Sequence, residues 1–174
     1  MRLKALLLIM LVTLLPLSGQ TGGDNTYEFL NLSHSAFATA TGGITVSGDR
    51  DDLSLPYWNP ALLRGSMHND ISLSFSTWFA GITYGHASWA VDTDRRGTIA
   101  AGVSFISYGR FTEADIAGNI TGTFTAAEYA FSAAWSLQLD SSFTVGIALK
   151  PVFSHLERYF SAGICTDIGA TWSS

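Results

Sequence analysis

The chain is short of charge, of cysteine and of long hydrophobic runs, and each shortage removes a class of protein. Charged residues make up 13% of its 174 residues, against about 25% in an average soluble domain. Acidic residues number 14 and basic residues 9, a formal net charge of −5, which disfavours nucleic-acid binding because that needs a basic surface. One cysteine, Cys165, leaves no internal disulfide framework. Beyond the first twenty positions no apolar run approaches the ~20 residues of a spanning helix, and no helical periodicity stands out. If this chain enters a membrane, it does so as strands. Against these shortages stand 13% aromatics and 17 glycines, a combination ordinary for a membrane barrel.

The front of the chain has three parts. Met1-Arg2-Leu3-Lys4 is basic, an uncharged apolar run follows to Leu15, and Ser18-Gly19 supply small residues. That is the layout of a secretory signal peptide, so residues 1–19 are expected to be cleaved before Gln20. The apolar run is too short for an anchor helix. No cysteine lies near the cut to carry a lipid. Without Arg2 and Lys4 the balance is 7 basic against 14 acidic residues.

Residues 20–69 read as a mixed lead-in broken at Gly42-Gly43, with Ile44, Thr45, Val46 and Ser47 as a short strand. From residue 70 the pattern becomes regular. Period-two alternation between turn residues predicts strands over 71–79, 81–91, 98–111, 124–139, 143–153 and 162–172. One face of these strands is apolar, carrying for example Ile99, Val103, Phe105, Phe131, Trp135, Ile147, Leu149, Ile164 and Ile168. The other is small and weakly polar, and the strand charges Arg110, Glu128, Lys150 and Asp167 fall on it. A soluble sandwich buries the apolar face; a membrane barrel turns it to lipid and the small face to the lumen. Three features favour the barrel. The second face carries few charges for a wetted surface. The fourth strand spans roughly 50 Å at ~3.3 Å per residue. Short turns alternate with longer loops, and Trp89, Trp135 and Phe143 sit near the short turns, where an interfacial girdle lies. The fold expected is all-β, an antiparallel outer-membrane β-barrel.

Several segments together carry a resemblance. They are Gly42-Gly43-Ile44-Thr45-Val46, Asp51-Asp52-Leu53-Ser54-Leu55, Trp58-Asn59-Pro60-Ala61-Leu62-Leu63, Met67-His68-Asn69, the run from Trp78 to Gly85, Tyr108-Gly109-Arg110-Phe111 and Leu149-Lys150-Pro151. Their order resembles the PorV/PorQ family, PorQ-like members in particular, which is related to fatty-acid transporter barrels. Gly42, Gly43, Asn59, Pro60 and Ala61 form the motif. The resemblance implies a non-catalytic outer-membrane scaffold of the type IX secretion system of Bacteroidetes. It would help hold a PorZ-like surface protein beside the PorU–PorV attachment complex. It brings no cofactor, and outer-membrane lipid would surround it. Family barrels have more strands than the six or seven this chain supplies, so the expectation is an incomplete amino-terminal half, a truncated barrel, with completion by a second chain as the alternative.

Other constellations weigh less. Asp49, Asp51 and Asp52 are oxygen ligands of the kind calcium takes, but the spacing lacks a full loop signature and reads as a solvated turn. His34, His68, His86 and His155 have no paired zinc spacing. Ser33-His34-Ser35 has no surrounding nucleophile elbow. Cys165 reads as an inert small residue. Centring the last hairpin between Glu157 and Arg158 puts Lys150 opposite Cys165 and diagonal to Asp167, which predicts a Lys150–Asp167 pair. Residues 112–122 read as a long polar loop and a candidate external partner surface. A transporter of hydrophobic small molecules is the first alternative, with residues 20–53 as plug or tether. A secreted soluble β-domain that binds a ligand is the second.

Overall fold

The computed structural model describes residues 26–48 and 50–173; the expected signal peptide and Asp49 lie outside them. The alternating segments form six strands: β1 (Ile71–Thr77), β2 (Thr83–Asp92), β3 (Thr98–Ala114), β4 (Ile120–Gln138), β5 (Phe143–Leu156) and β6 (Tyr159–Trp172). They pair antiparallel in chain order, a meander in which each strand neighbours the next. The sheet is open, with β1 and β6 as its edges. This is an all-β fold, an antiparallel sheet with the form of a partial barrel.

The two faces separate as the alternation requires. In β4 the covered positions are Ala126, Glu128, Ala130, Ala134 and Ser136, while Tyr129, Phe131 and Trp135 between them are exposed. Through the middle of the sheet the exposed face is apolar from edge to edge, with Leu73 at 76% exposure on β1 and Ile168 at 83% on β6. Soluble monomers rarely expose contiguous apolar patches larger than a few hundred Å².

The lead-in covers the other face. Among its described residues it contains one short helix, α1 (Ala36–Ala40), and 3-10 turns at Glu28–Asn31, Leu55–Tyr57, Pro60–Leu62 and Gly65–Met67. The Ser35 side chain caps α1 by accepting from the Ala38 N–H at 3.2 Å. Gly42 and Gly43, at φ 119° and 98°, end it, and the Gly43 N–H donates back to the Ala38 carbonyl at 2.7 Å. These are the positive angles that glycine tolerates after a helix. Phe29 packs with Tyr84, Ile106, Ala130 and Val152. Leu53, Leu63 and Met67 pack with Ala90, Ala100, Ala134 and Ala148. The alanines on the sheet's small face leave room for the large side chains of the lead-in.

Four expectations need correction. Residues 44–47 form no strand; Ile44 and Val46 are exposed there at 55% and 58%, and no neighbouring strand offers them a ladder. Residues 112–122 are not a long loop: β3 runs to Ala114, β4 starts at Ile120, and only five residues connect them. The tip is tightly held, because Asp115 Oδ1 accepts from the N–H groups of Ala117 and Asn119, both at 2.9 Å. Connections therefore do not alternate short and long; β3 and β4 project as a strand pair instead. Arg110 does not share a face with the other three charges. Two residues, Tyr108 and Gly109, stand in β3 where β4 offers one, so the register shifts between Ser107 and Arg110. Gly109 takes φ 82° there. A bulge of this kind inverts the alternation beyond it. Arg110 consequently pairs with Thr125, on the exposed face, while Phe111 turns inward and stacks on Phe124 at 5.1 Å.

Candidate functional site

Where the lead-in crosses the middle of the sheet, polar groups meet under cover. Lys150, 6% exposed, extends its Nζ to 2.7 Å from Asp167 Oδ2 and donates to the Tyr57 carbonyl at 2.7 Å. The same Nζ lies 3.8 Å from the centre of the Tyr57 ring. The last hairpin has the register that predicted this pair, with Lys150 opposite Cys165. Asp167 Oδ2 has no other partner among the described residues. A buried ammonium is tolerable only when its donors are engaged, and here the carboxylate, the carbonyl and the ring all engage it.

Beside this pair the rings of His34 and His86 stack at 4.6 Å and 15°. Tyr57 meets His34 edge-on at 4.7 Å. The His86 Nδ1 is 2.9 Å from Ser104 Oγ, whereas neither ring nitrogen of His34 has a partner among the described residues. Burial holds the His34 imidazole down at about 3, with smaller contributions from the neighbouring His86 and Lys150. Burial likewise raises the Tyr57 phenol above its ordinary value. Two stacked rings do not converge on a common point as ligands of one metal would. No three His, Cys, Asp or Glu side chains among the described residues come together as a metal site. Asp51 and Asp52 brace loops: Asp51 accepts from Ser66 Oγ at 2.7 Å, and Asp52 from Ser35 Oγ at 2.6 Å and the Ser54 N–H at 2.9 Å.

The Asn59-Pro60-Ala61 segment is the seat of the lead-in. Asn59 Oδ1 accepts from the Ala61 N–H at 3.0 Å, while its Nδ2 donates to the Val46 carbonyl at 2.8 Å. Thus one side chain ties the turn to the preceding loop. The turn rests on two glycines of the sheet. A Cβ on Gly146 would lie 2.5 Å from the Pro60 carbonyl carbon and 2.6 Å from the Ala61 nitrogen. On Gly169 it would collide with Asn59. Further along, Ser136 Oγ donates to the Leu63 carbonyl at 2.6 Å, and Thr171 Oγ1 to the Ala61 carbonyl at 3.2 Å. The gap left between Tyr57, His86 and Lys150 is about 20 Å³, room for roughly one water. At this level the covered face is filled.

Glu128 stands apart, nearer the β3–β4 hairpin. It is 7% exposed and accepts from the Tyr108 hydroxyl at 2.6 Å. The four charges expected on the small face are therefore distributed as one ion pair at mid-sheet, one carboxylate toward the hairpin end, and Arg110 on the far face. Sequence reasoning missed His34, Tyr57 and the glycine seat. His34 and Tyr57 lie in a segment without periodicity, and a glycine within a strand signals close backbone approach without naming what approaches. No protein-family model matches the chain, and no curated protein matches it.

Proposed function

We propose that this chain is a non-catalytic outer-membrane component whose apolar face meets lipid and whose small face holds the lead-in as a fixed plug. The observation that carries the reading is the apolar band that crosses the middle of one face of a long-stranded antiparallel sheet from edge to edge, with Arg110 lying beyond it toward the hairpin end. Its opposite face is already packed, so no soluble core remains for the apolar side chains to join. A six-stranded sheet in lipid leaves the edges of β1 and β6 unpaired, which a membrane does not tolerate. The proposal therefore includes further strands that close the barrel. Within it, the more specific role is a scaffold of a type IX secretion system holding a PorZ-like surface protein near the PorU–PorV attachment complex. The family resemblance supports that role.

A transporter of hydrophobic molecules is the competing reading, and the filled middle of the covered face weighs against it. Carbonate washing of membranes tests the first level: the protein is expected to stay in the pellet, and release would reject the barrel. Crosslinking in the native cell, followed by mass spectrometry, tests the second. Recovery of surface-attachment proteins supports the scaffold; their absence alongside uptake of a labelled fatty acid that depends on this protein would favour the transporter.

A further inference from the structure

The hairpin end of the covered face contains an open bowl that the plug does not fill. One lobe, about 320 Å³, is lined by Tyr27, Glu28, Tyr108, Glu128 and Tyr159 among others. The second, about 380 Å³, shares Tyr108, Glu128 and Tyr159 and adds the stacked rings of Phe111 and Phe124. The bulge at Gly109 makes this arrangement, because it brings both Tyr108 and Phe111 to the covered side.

Glu128 sits between the lobes. Its residue is 93% removed from solvent in the sense that only 7% remains exposed, yet no cation is paired with it among the described residues. Its one hydrogen bond is the Tyr108 hydroxyl on Oε2, so Oε1 is free to accept. Arg158, in the turn between β5 and β6, is 82% exposed and is turned to Glu157 at 3.4 Å. Arg110 is on the other face of the sheet. A buried carboxylate without a countercharge is costly unless a cation arrives. Tyrosine rings around it supply the electron-rich walls that attract such a cation.

We infer that this bowl binds an organic cation carrying an apolar body, with an ammonium or guanidinium head at Glu128 and the body against Phe111 and Phe124. A small free amine and a basic side chain of a polypeptide share this chemistry. The inference goes beyond the membrane scaffold reading, and its failure would leave that reading intact.

Calorimetric titration of the full chain in detergent micelles tests it, with phenethylammonium and N-acetyl-arginine amide as probes and phenethyl alcohol as the neutral control. Saturable binding of at least one cation is expected, with none of the alcohol. Glu128→Gln is expected to weaken binding at least tenfold. Tyr159→Leu, at a side chain 77% exposed and thus safe for folding, is expected to weaken it several-fold. Binding of both probes supports a polypeptide side chain as the source, and binding of phenethylammonium alone supports a free amine. No saturable binding, equal binding of the alcohol, or full affinity in Tyr159→Leu together with Glu128→Gln would overturn the inference.

Discussion

Gly146→Ala tests whether the lead-in is a seated plug. The glycine lies within β5, where alanine fits the backbone, so the strand itself should tolerate the change. The added methyl, however, would stand 2.5 Å from the Pro60 carbonyl carbon and 2.6 Å from the Ala61 nitrogen. Those are backbone atoms in a turn fixed by Asn59, and they cannot swing aside as a side-chain end could. Overpacking of this kind costs about 1–3 kcal/mol. If the cost falls on docking alone, the undocked fraction rises roughly 5- to 150-fold. Lifting the turn also strains the bonds from Ser136 to Leu63 and from Lys150 to Tyr57, which places the effect toward the upper end. The assay is limited trypsin digestion in detergent, following cleavage after Arg64 at the end of the seated segment. Gly122→Ala is the control, because the new methyl there meets only the end of the Glu113 side chain, at 3.2 Å, which can rotate aside. Cleavage should accelerate in Gly146→Ala and not in the control. Equal rates in both variants and wild type would refute the seat.

Other outcomes follow from the same contacts. Lys150→Met should lower the stability of the folded chain by about 2 kcal/mol, the scale of a hydrogen bond to a charged group, and Asp167→Asn in addition should restore part of it; chemical unfolding in detergent measures both. The His34 imidazole is held at about 3, below its ordinary 6.5, so the unfolded chain binds the proton first. Stability from this group is fully present above pH 6.5 and is lost as pH falls toward 3. At about 1.4 kcal/mol per pH unit the loss reaches a few kcal/mol, and His34→Phe should flatten that part of a pH-dependent melting curve relative to wild type. Gly109→Ala should cost about 1–2 kcal/mol because φ 82° is left-handed backbone; a melting temperature equal to wild type would contradict the bulge.

The strands were legible because each keeps one apolar face, and because a short turn after Gln138 holds β4 and β5 in phase. The Lys150–Asp167 pair followed from centring a single hairpin. Arg110 was misplaced for one local reason: a bulge adds a residue to β3, and alternation counted through it comes out inverted beyond Gly109. The same event hid the inward turn of Phe111 and made the polar stretch beyond it look like a loop. The lead-in could be divided at Gly42-Gly43 but not placed. Its turns are too short to show a period, and their positions depend on long-range contacts with Gly146, Gly163 and Gly169. At Gly163 an added Cβ would meet the Tyr27 ring at 2.9 Å. His34 offered no signal at all, since its neighbours His86 and Lys150 are remote in sequence.

Which of the two faces meets lipid is read directly by environment-sensitive labelling. In a Cys165→Ser background, Ile147→Cys on the apolar face and Thr144→Cys on the covered face, beside a cavity of about 400 Å³, would each carry a bimane label in membranes containing brominated lipid. Strong quenching by the brominated chains is expected at position 147 and little at position 144. Strong quenching by aqueous iodide at 147, without quenching by the lipid, would contradict the proposed direction of the faces.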